Sequence, residues 1–167
     1  MKKFVKGIFK KLAKFTVILL NKFGWGFYFL EHLNKRIVNI EGSITEKSLK
    51  LKFLTPNRIN KYRVNTFFTK EPETLDWINT FDENSVFFDI GANVGLYSCY
   101  AAKKKKCKVF AFEPSVFNLE ILTKNVYINS LSDRITVIST PVTNETKISE
   151  FNMSSTESGA ACSTFGE

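Results

Sequence analysis

Two acidic residues and a glycine-rich turn carry the chemistry legible in this chain. The first acid closes an apolar run, Val86-Phe87-Phe88-Asp89, and is followed by Ile90-Gly91-Ala92-Asn93-Val94-Gly95. The second closes Lys108-Val109-Phe110-Ala111-Phe112 as Glu113-Pro114, 18 residues beyond Gly95. Strand, glycine turn and helix in that order form the usual cradle of a nucleotide-type ligand. A dinucleotide site needs G-x-G-x-x-G so that the backbone can approach a pyrophosphate. Here Asn93 and Leu96 stand where the second and third glycines belong, and that fingerprint fails.

The pattern present is D-x-G-x-x-x-G. A carboxylate at the strand end repels a pyrophosphate but stabilises a cationic ligand at close range. S-adenosylmethionine is such a ligand, with its sulfonium, ammonium and ribose. Gly91 and Gly95 leave room against the turn, and Glu113 stands where a second-strand acid accepts hydrogen bonds from ribose hydroxyls. A nicotinamide-type binding module is a weaker reading of the same residues.

Phe87 to Ser98, Val109 to Ser115, Asn125 to Asn129 and Arg134 to Val137 resemble the FkbM-type methyltransferases. Lys70-Glu71-Pro72-Glu73-Thr74 resembles the segment leading into that family's first strand, so the similarity covers roughly residues 49–167. The resemblance implies an α/β fold, the class I methyltransferase Rossmann-like parallel sheet, truncated and preceded by a helical and hairpin extension. It implies S-adenosylmethionine as cofactor, with Asp89, Gly91, Asn93 and Gly95 at its methionine and ribose region and Glu113 at the ribose hydroxyls. The implied reaction is O-methylation of a sugar, glycan or natural product. The third strand, Arg134 to Thr140, leads to the adenine side near Pro141 and Val142, which depart from the family's pattern.

No catalytic base is apparent in the motif region: the single histidine, His32, lies near the N-terminus. The family's fourth core strand and the acceptor half are missing, so the chain reads as a fragment with little or no activity alone. No metal site is expected. Cys99, Cys107 and Cys162 form no C-x-x-C pair and read as small apolar residues in a reducing compartment.

Three segments must position this chemistry: residues 1–36, a basic amphipathic leader; 37–84, a strand hairpin and a helix; and 85–167, the cofactor half. Of 24 Lys and Arg against 16 Asp and Glu, nine bases and one acid fall in residues 1–36, which therefore carry the whole net charge of +8. At helical spacing, residues 2–15 place Phe4, Val5, Ile8, Phe9, Leu12 and Phe15 opposite Lys2, Lys3, Lys6, Lys10, Lys11 and Lys14. The apolar runs behind are too short for a secretory signal or for a span of roughly 20 apolar residues. A helix of this kind fits an anionic membrane surface, which places the protein in the cytoplasm, at the inner face of a membrane. Nucleic acid is the competing partner, with an RNA methyltransferase or a nucleic-acid-binding protein as the alternative function.

Ile37-Val38-Asn39-Ile40 and Leu49 to Leu54 alternate like two strands around Glu41-Gly42-Ser43. A helix is expected from Thr69 through Phe81. Lys103 to Lys106 reads as a solvated helix end. With 44% hydrophobic residues and 17 Phe, many in short apolar runs, the composition excludes wholesale disorder and favours a sheet covered on both faces.

Overall fold

The computed structural model describes residues 2–166, with the side chains of Lys2 and Lys3 outside the described set. The chain divides into two compact units that meet at residues 40 and 41.

In the first unit, α1 (Lys2–Lys22) and α2 (Gly26–Ile37) form a helical hairpin. Gly24 ends α1 with φ +72, and the Trp25 N–H returns to the Leu20 carbonyl at 2.9 Å, the left-handed stop that satisfies orphaned carbonyls. The expected leader helix is present and runs seven residues further, to Lys22. Phe4, Val5, Ile8, Phe9, Leu12 and Phe15 are all exposed, Phe9 to 73%. Among the described residues no helix is long and apolar enough to cross a membrane.

The second unit opens on an antiparallel hairpin, β1 (Glu41–Glu46) and β2 (Leu49–Leu54), followed by α3 (Arg58–Asn65) and α4 (Pro72–Asn79). Here the pattern reading needs correction. Ile37 ends α2 and is no strand residue, while Glu41-Gly42-Ser43 lies inside β1. The turn is at Lys47-Ser48, with Lys47 at φ +52. Gly42 serves close packing: a Cβ there would lie 3.1 Å from Thr55 Cγ2 and from Val64 Cγ1 of α3. Helix α3 has no counterpart in the periodicity; its cap is Asn57, whose side chain accepts the Asn60 N–H at 2.9 Å. Helix α4 starts three residues after Thr69, because Pro72 suits the first helical position, where no N–H is needed.

The core of this unit is a parallel sheet of β3 (Val86–Ile90), β4 (Lys108–Phe112) and β5 (Ile135–Ile138), in the order β3-β4-β5. Crossovers α5 (Leu96–Lys104) and α6 (Val116–Ile128) step the same way along it. Right-handed connections stepping one way place their helices on one face. On that face Phe87, Val109, Ala111 and Ile135 are buried. The opposite face is open: Val86, Phe88 and Ile90 are exposed, and the Phe88 ring stacks on Phe110 at 5.3 Å between centroids. The expectation of two covered faces is therefore corrected, since among the described residues both crossover helices share one side. β3 also has a free edge in the described sheet. The fold class is as expected in being α/β, a parallel sheet with crossover helices and with helices and a hairpin ahead of it.

Two asparagines one turn apart fasten the hairpin to this core. Asn125 of α6, fully buried, accepts the Leu54 N–H at 2.8 Å and donates to the Val94 carbonyl at 2.8 Å. Asn129 accepts the Lys52 N–H at 2.9 Å and donates to the Lys52 carbonyl at 2.7 Å. Edge-strand groups that would otherwise be orphaned are thereby satisfied. A second link joins β1 to α5, where Lys104 Nζ lies 2.8 Å from Glu46 Oε2 and donates to the Tyr100 hydroxyl at 2.6 Å. Lys106 pairs with Glu83 at 2.8 Å. The lysine run is thus only partly a solvated end. The chain closes on a short antiparallel pair, β6 (Phe151–Asn152) and β7 (Thr164–Phe165).

Candidate functional site

Parallel strands β3 and β4 deliver Asp89 and Glu113 to the same end of the sheet, and the turn from Gly91 to Gly95 fills the space between β3 and α5. Gly91, at φ +80, has nothing within 4 Å of where a Cβ would stand, so the backbone there borders open space. The turn is tied to β4: the Gly91 and Ala92 N–H groups both donate to the Phe112 carbonyl at 2.9 Å. Asn93 adopts φ +53, a left-handed conformation that asparagine tolerates better than most side chains.

Glu113 organises the site. It is buried, at 5% exposure, and its two oxygens accept backbone N–H groups from Asn93 and Ser115, each at 2.8 Å. A carboxylate offers about four acceptor positions, so each oxygen retains one for a ligand. Gly91, Asn93 and Glu113 line an open-mouthed cavity of about 180 Å³ together with Ala160, Cys162 and Ser163.

Asp89 and Gly95 stand behind this cavity and not in its lining. The Ser98 hydroxyl of α5 donates to the Asp89 carboxylate, and burial pushes that carboxyl above its ordinary 3.8, with the Glu113 charge adding to the rise. Gly95 has φ +80, and a Cβ there would lie 3.2 Å from Leu122 Cγ, so its glycine serves the approach of α6 to the turn. Pro141 and Val142 border a separate open hollow of about 530 Å³.

On the other side of the turn lies a second, smaller cavity of about 50 Å³, bordered by Arg63, Lys70, Glu71, Asn93 and Tyr97. Tyr97 donates its hydroxyl to Glu71 at 3.0 Å, and Lys70 bonds the same carboxylate at 2.7 Å. The Lys70 bond holds Glu71 below the usual carboxylate range, while burial and then the Glu71 bond raise Tyr97. These groups escape a motif reading because they converge from α3, the segment before α4, and α5. The only sequence signal was Lys70-Glu71-Pro72, a segment to which the motif assigned no role. Cys99 and Cys107 are buried, whereas Cys162 is exposed, which corrects the reading of all three as interior residues. Among the described residues no group of three or more His, Cys, Asp or Glu could hold a metal ion.

No family model matches the chain. Over 65 residues it is 31% identical to tRNA (guanine(37)-N(1))-methyltransferase of Dictyostelium discoideum, a match covering 39% of this chain and 14% of that protein. The chain therefore spans about one seventh of the length of this curated relative. Among solved structures, a transferase of Pyrococcus horikoshii is similar at a TM-score of 0.44 and 20% identity, over 60% of this chain and 36% of the other. Methanocaldococcus jannaschii Trm5 in complex with adenosine is similar at 0.41 and 19%, over 60% and 29%. TYW2 of M. jannaschii in complex with AdoMet is similar at 0.40 and 22%, over 59% and 42%.

Proposed function

We propose that this chain carries the cofactor-binding half of an S-adenosylmethionine-dependent methyltransferase. The observation that carries the reading is Glu113, a buried carboxylate with one free acceptor position on each oxygen, facing the open space beside Gly91. In this reading Glu113 accepts both ribose hydroxyls, Gly91 and Asn93 border the ribose and methionine portions, and Asp89 supplies negative charge from behind the turn toward the cationic end. Gly95 contributes by letting α6 support the turn. Bound S-adenosylmethionine would supply a sulfonium methyl for in-line displacement by an acceptor nucleophile, for which alignment is the main requirement.

For the acceptor, we favour RNA. The stretch of identity to a tRNA methyltransferase supports this, as does the basic charge of residues 1–36, which suits phosphates. The FkbM-type motif similarity favours a second reading, a sugar or glycan hydroxyl. The exposed Phe face of α1 supports a contact of residues 2–15 with an anionic membrane.

Ultraviolet crosslinking of methyl-labelled S-adenosylmethionine to the full chain tests the cofactor reading. Label is expected on peptides containing residues 86–95 or 108–115, and competed away by S-adenosylhomocysteine. Label that NAD competes away, or that falls elsewhere, contradicts it. Titrating the chain with tRNA, with a neutral glycan and with anionic vesicles at rising salt separates the partners. Salt-sensitive tRNA binding supports the first reading, and binding only to vesicles or glycan opposes it.

A further inference from the structure

The outer side of the 180 Å³ cavity is built from a segment that has little secondary structure of its own. Ser158, Gly159 and Ala160 are held almost entirely by side chains from elsewhere. From the α3 region, Asn57 Nδ2 donates to the Ser158 carbonyl at 2.8 Å, Asn60 Nδ2 to the Ser158 hydroxyl at 2.8 Å, and Arg63 Nε to the Gly159 carbonyl at 2.7 Å. From α6, Asn118 accepts the Gly159 N–H at 2.7 Å and donates to the Ala160 carbonyl at 3.2 Å. Asn93 of the glycine turn donates to that same carbonyl at 2.6 Å. Gly159 itself sits at φ +86, and a Cβ would lie 2.6 Å from Asn60 Oδ1, so the strap passes closely enough to require glycine.

The bonds form one chain from Glu113 through the Asn93 backbone and side chain to Ala160 and on to Asn118. A ligand touching Glu113 in this cavity also meets the strap. We propose that residues 158–163 are the outer wall of the cofactor cavity and contact the bound cofactor, and that Asn118 is the positioning residue that holds this wall against the glycine turn. The inference rests on the cofactor reading given above. Because ligand and wall share Asn93, binding and ordering of the strap reinforce each other.

Cys162 gives the wall a built-in reporter, since its exposed side chain borders the cavity while Cys99 and Cys107 are buried. The experiment uses the full chain with an aromatic disulfide reagent, and Cys162→Ser identifies the reacting thiol. S-adenosylhomocysteine at ten times its dissociation constant is expected to slow the reaction about ten-fold. Asn118→Ala is expected to speed amide exchange at Gly159 without ligand, and to weaken S-adenosylhomocysteine binding about ten-fold, whereas loss of fold would appear as a collapsed thermal transition. Gly159→Ala, which pushes the strap off Asn60, should weaken binding in the same direction. Wild-type binding with unchanged Cys162 reactivity overturns the wall and leaves the cofactor reading standing. Wild-type binding that Asn118→Ala and Gly159→Ala both leave unaltered overturns the positioning role. Absence of any wild-type binding overturns both readings together.

Discussion

Replacing Asn125 with leucine isolates the bond pair that fixes the β1–β2 hairpin to the glycine turn. The side chain is fully buried and serves two backbone groups, the Leu54 N–H and the Val94 carbonyl, each at 2.8 Å. Leucine has a similar volume, so the change removes both bonds without opening a large cavity. Each buried backbone group left without a partner costs about 1–3 kcal/mol, which puts the loss at roughly 3 kcal/mol after the small apolar gain. For a folded unit of this size that corresponds to a melting temperature lower by about 10 °C. The assay is thermal unfolding followed by far-ultraviolet circular dichroism, with Asn129→Leu as a comparison that also orphans both Lys52 backbone groups at a less enclosed site. A melting temperature for Asn125→Leu within about 2 °C of wild type would refute the claim that the asparagine satisfies otherwise orphaned groups.

Further outcomes follow from single residues. Gly95→Ala, forced into φ +80 with its methyl 3.2 Å from Leu122, should lose roughly 2 kcal/mol in urea unfolding, and Gly91→Ala, with nothing nearby, about half of that. Glu46→Gln removes the Lys104 partner, and the stability difference from wild type is expected to be about 1 kcal/mol at neutral pH after solvent screening. Because Lys104 holds Glu46 below its ordinary 4.5, that difference is present above 4.5 and disappears as pH falls through the lowered value. Asp89 has the opposite sign: burial raises it above 3.8, so its contribution to stability declines as pH rises through the raised value. A cationic ligand favours the ionised form, so affinity should climb over the same interval, and Asp89→Asn should flatten both slopes relative to wild type in paired pH titrations.

The outline of the candidate site was visible in the sequence because its parts are local. An apolar strand, an acid and a glycine turn occupy ten consecutive residues, and the second acid follows at the spacing of one crossover helix. The distinction between residues that border the cavity and those behind it was not visible. Asp89 and Gly95 belong to the same motif as Gly91 and Asn93, yet strand alternation turns Asp89 toward Ser98, and the helix start turns Gly95 toward Leu122. The strap was illegible for a different reason: its bonds join Asn57, Asn60 and Arg63 to residues 96 to 101 positions away, through side chains with no periodic pattern. The hairpin was misplaced because Gly42 looks like a turn residue, whereas its lack of a side chain serves packing against Val64. Alternation in Ile37-Val38-Asn39-Ile40 was too short to distinguish a strand from the end of a helix.

Calorimetric titration of the full chain with S-adenosylhomocysteine, beside Glu113→Ala, tests the cofactor claim most directly. Saturable binding at one site per chain is expected for wild type. It should weaken about 100-fold when the two ribose bonds to the carboxylate are lost, at roughly 1.5 kcal/mol each. Unchanged affinity in Glu113→Ala, or a wild-type chain that binds NAD in preference, would contradict it.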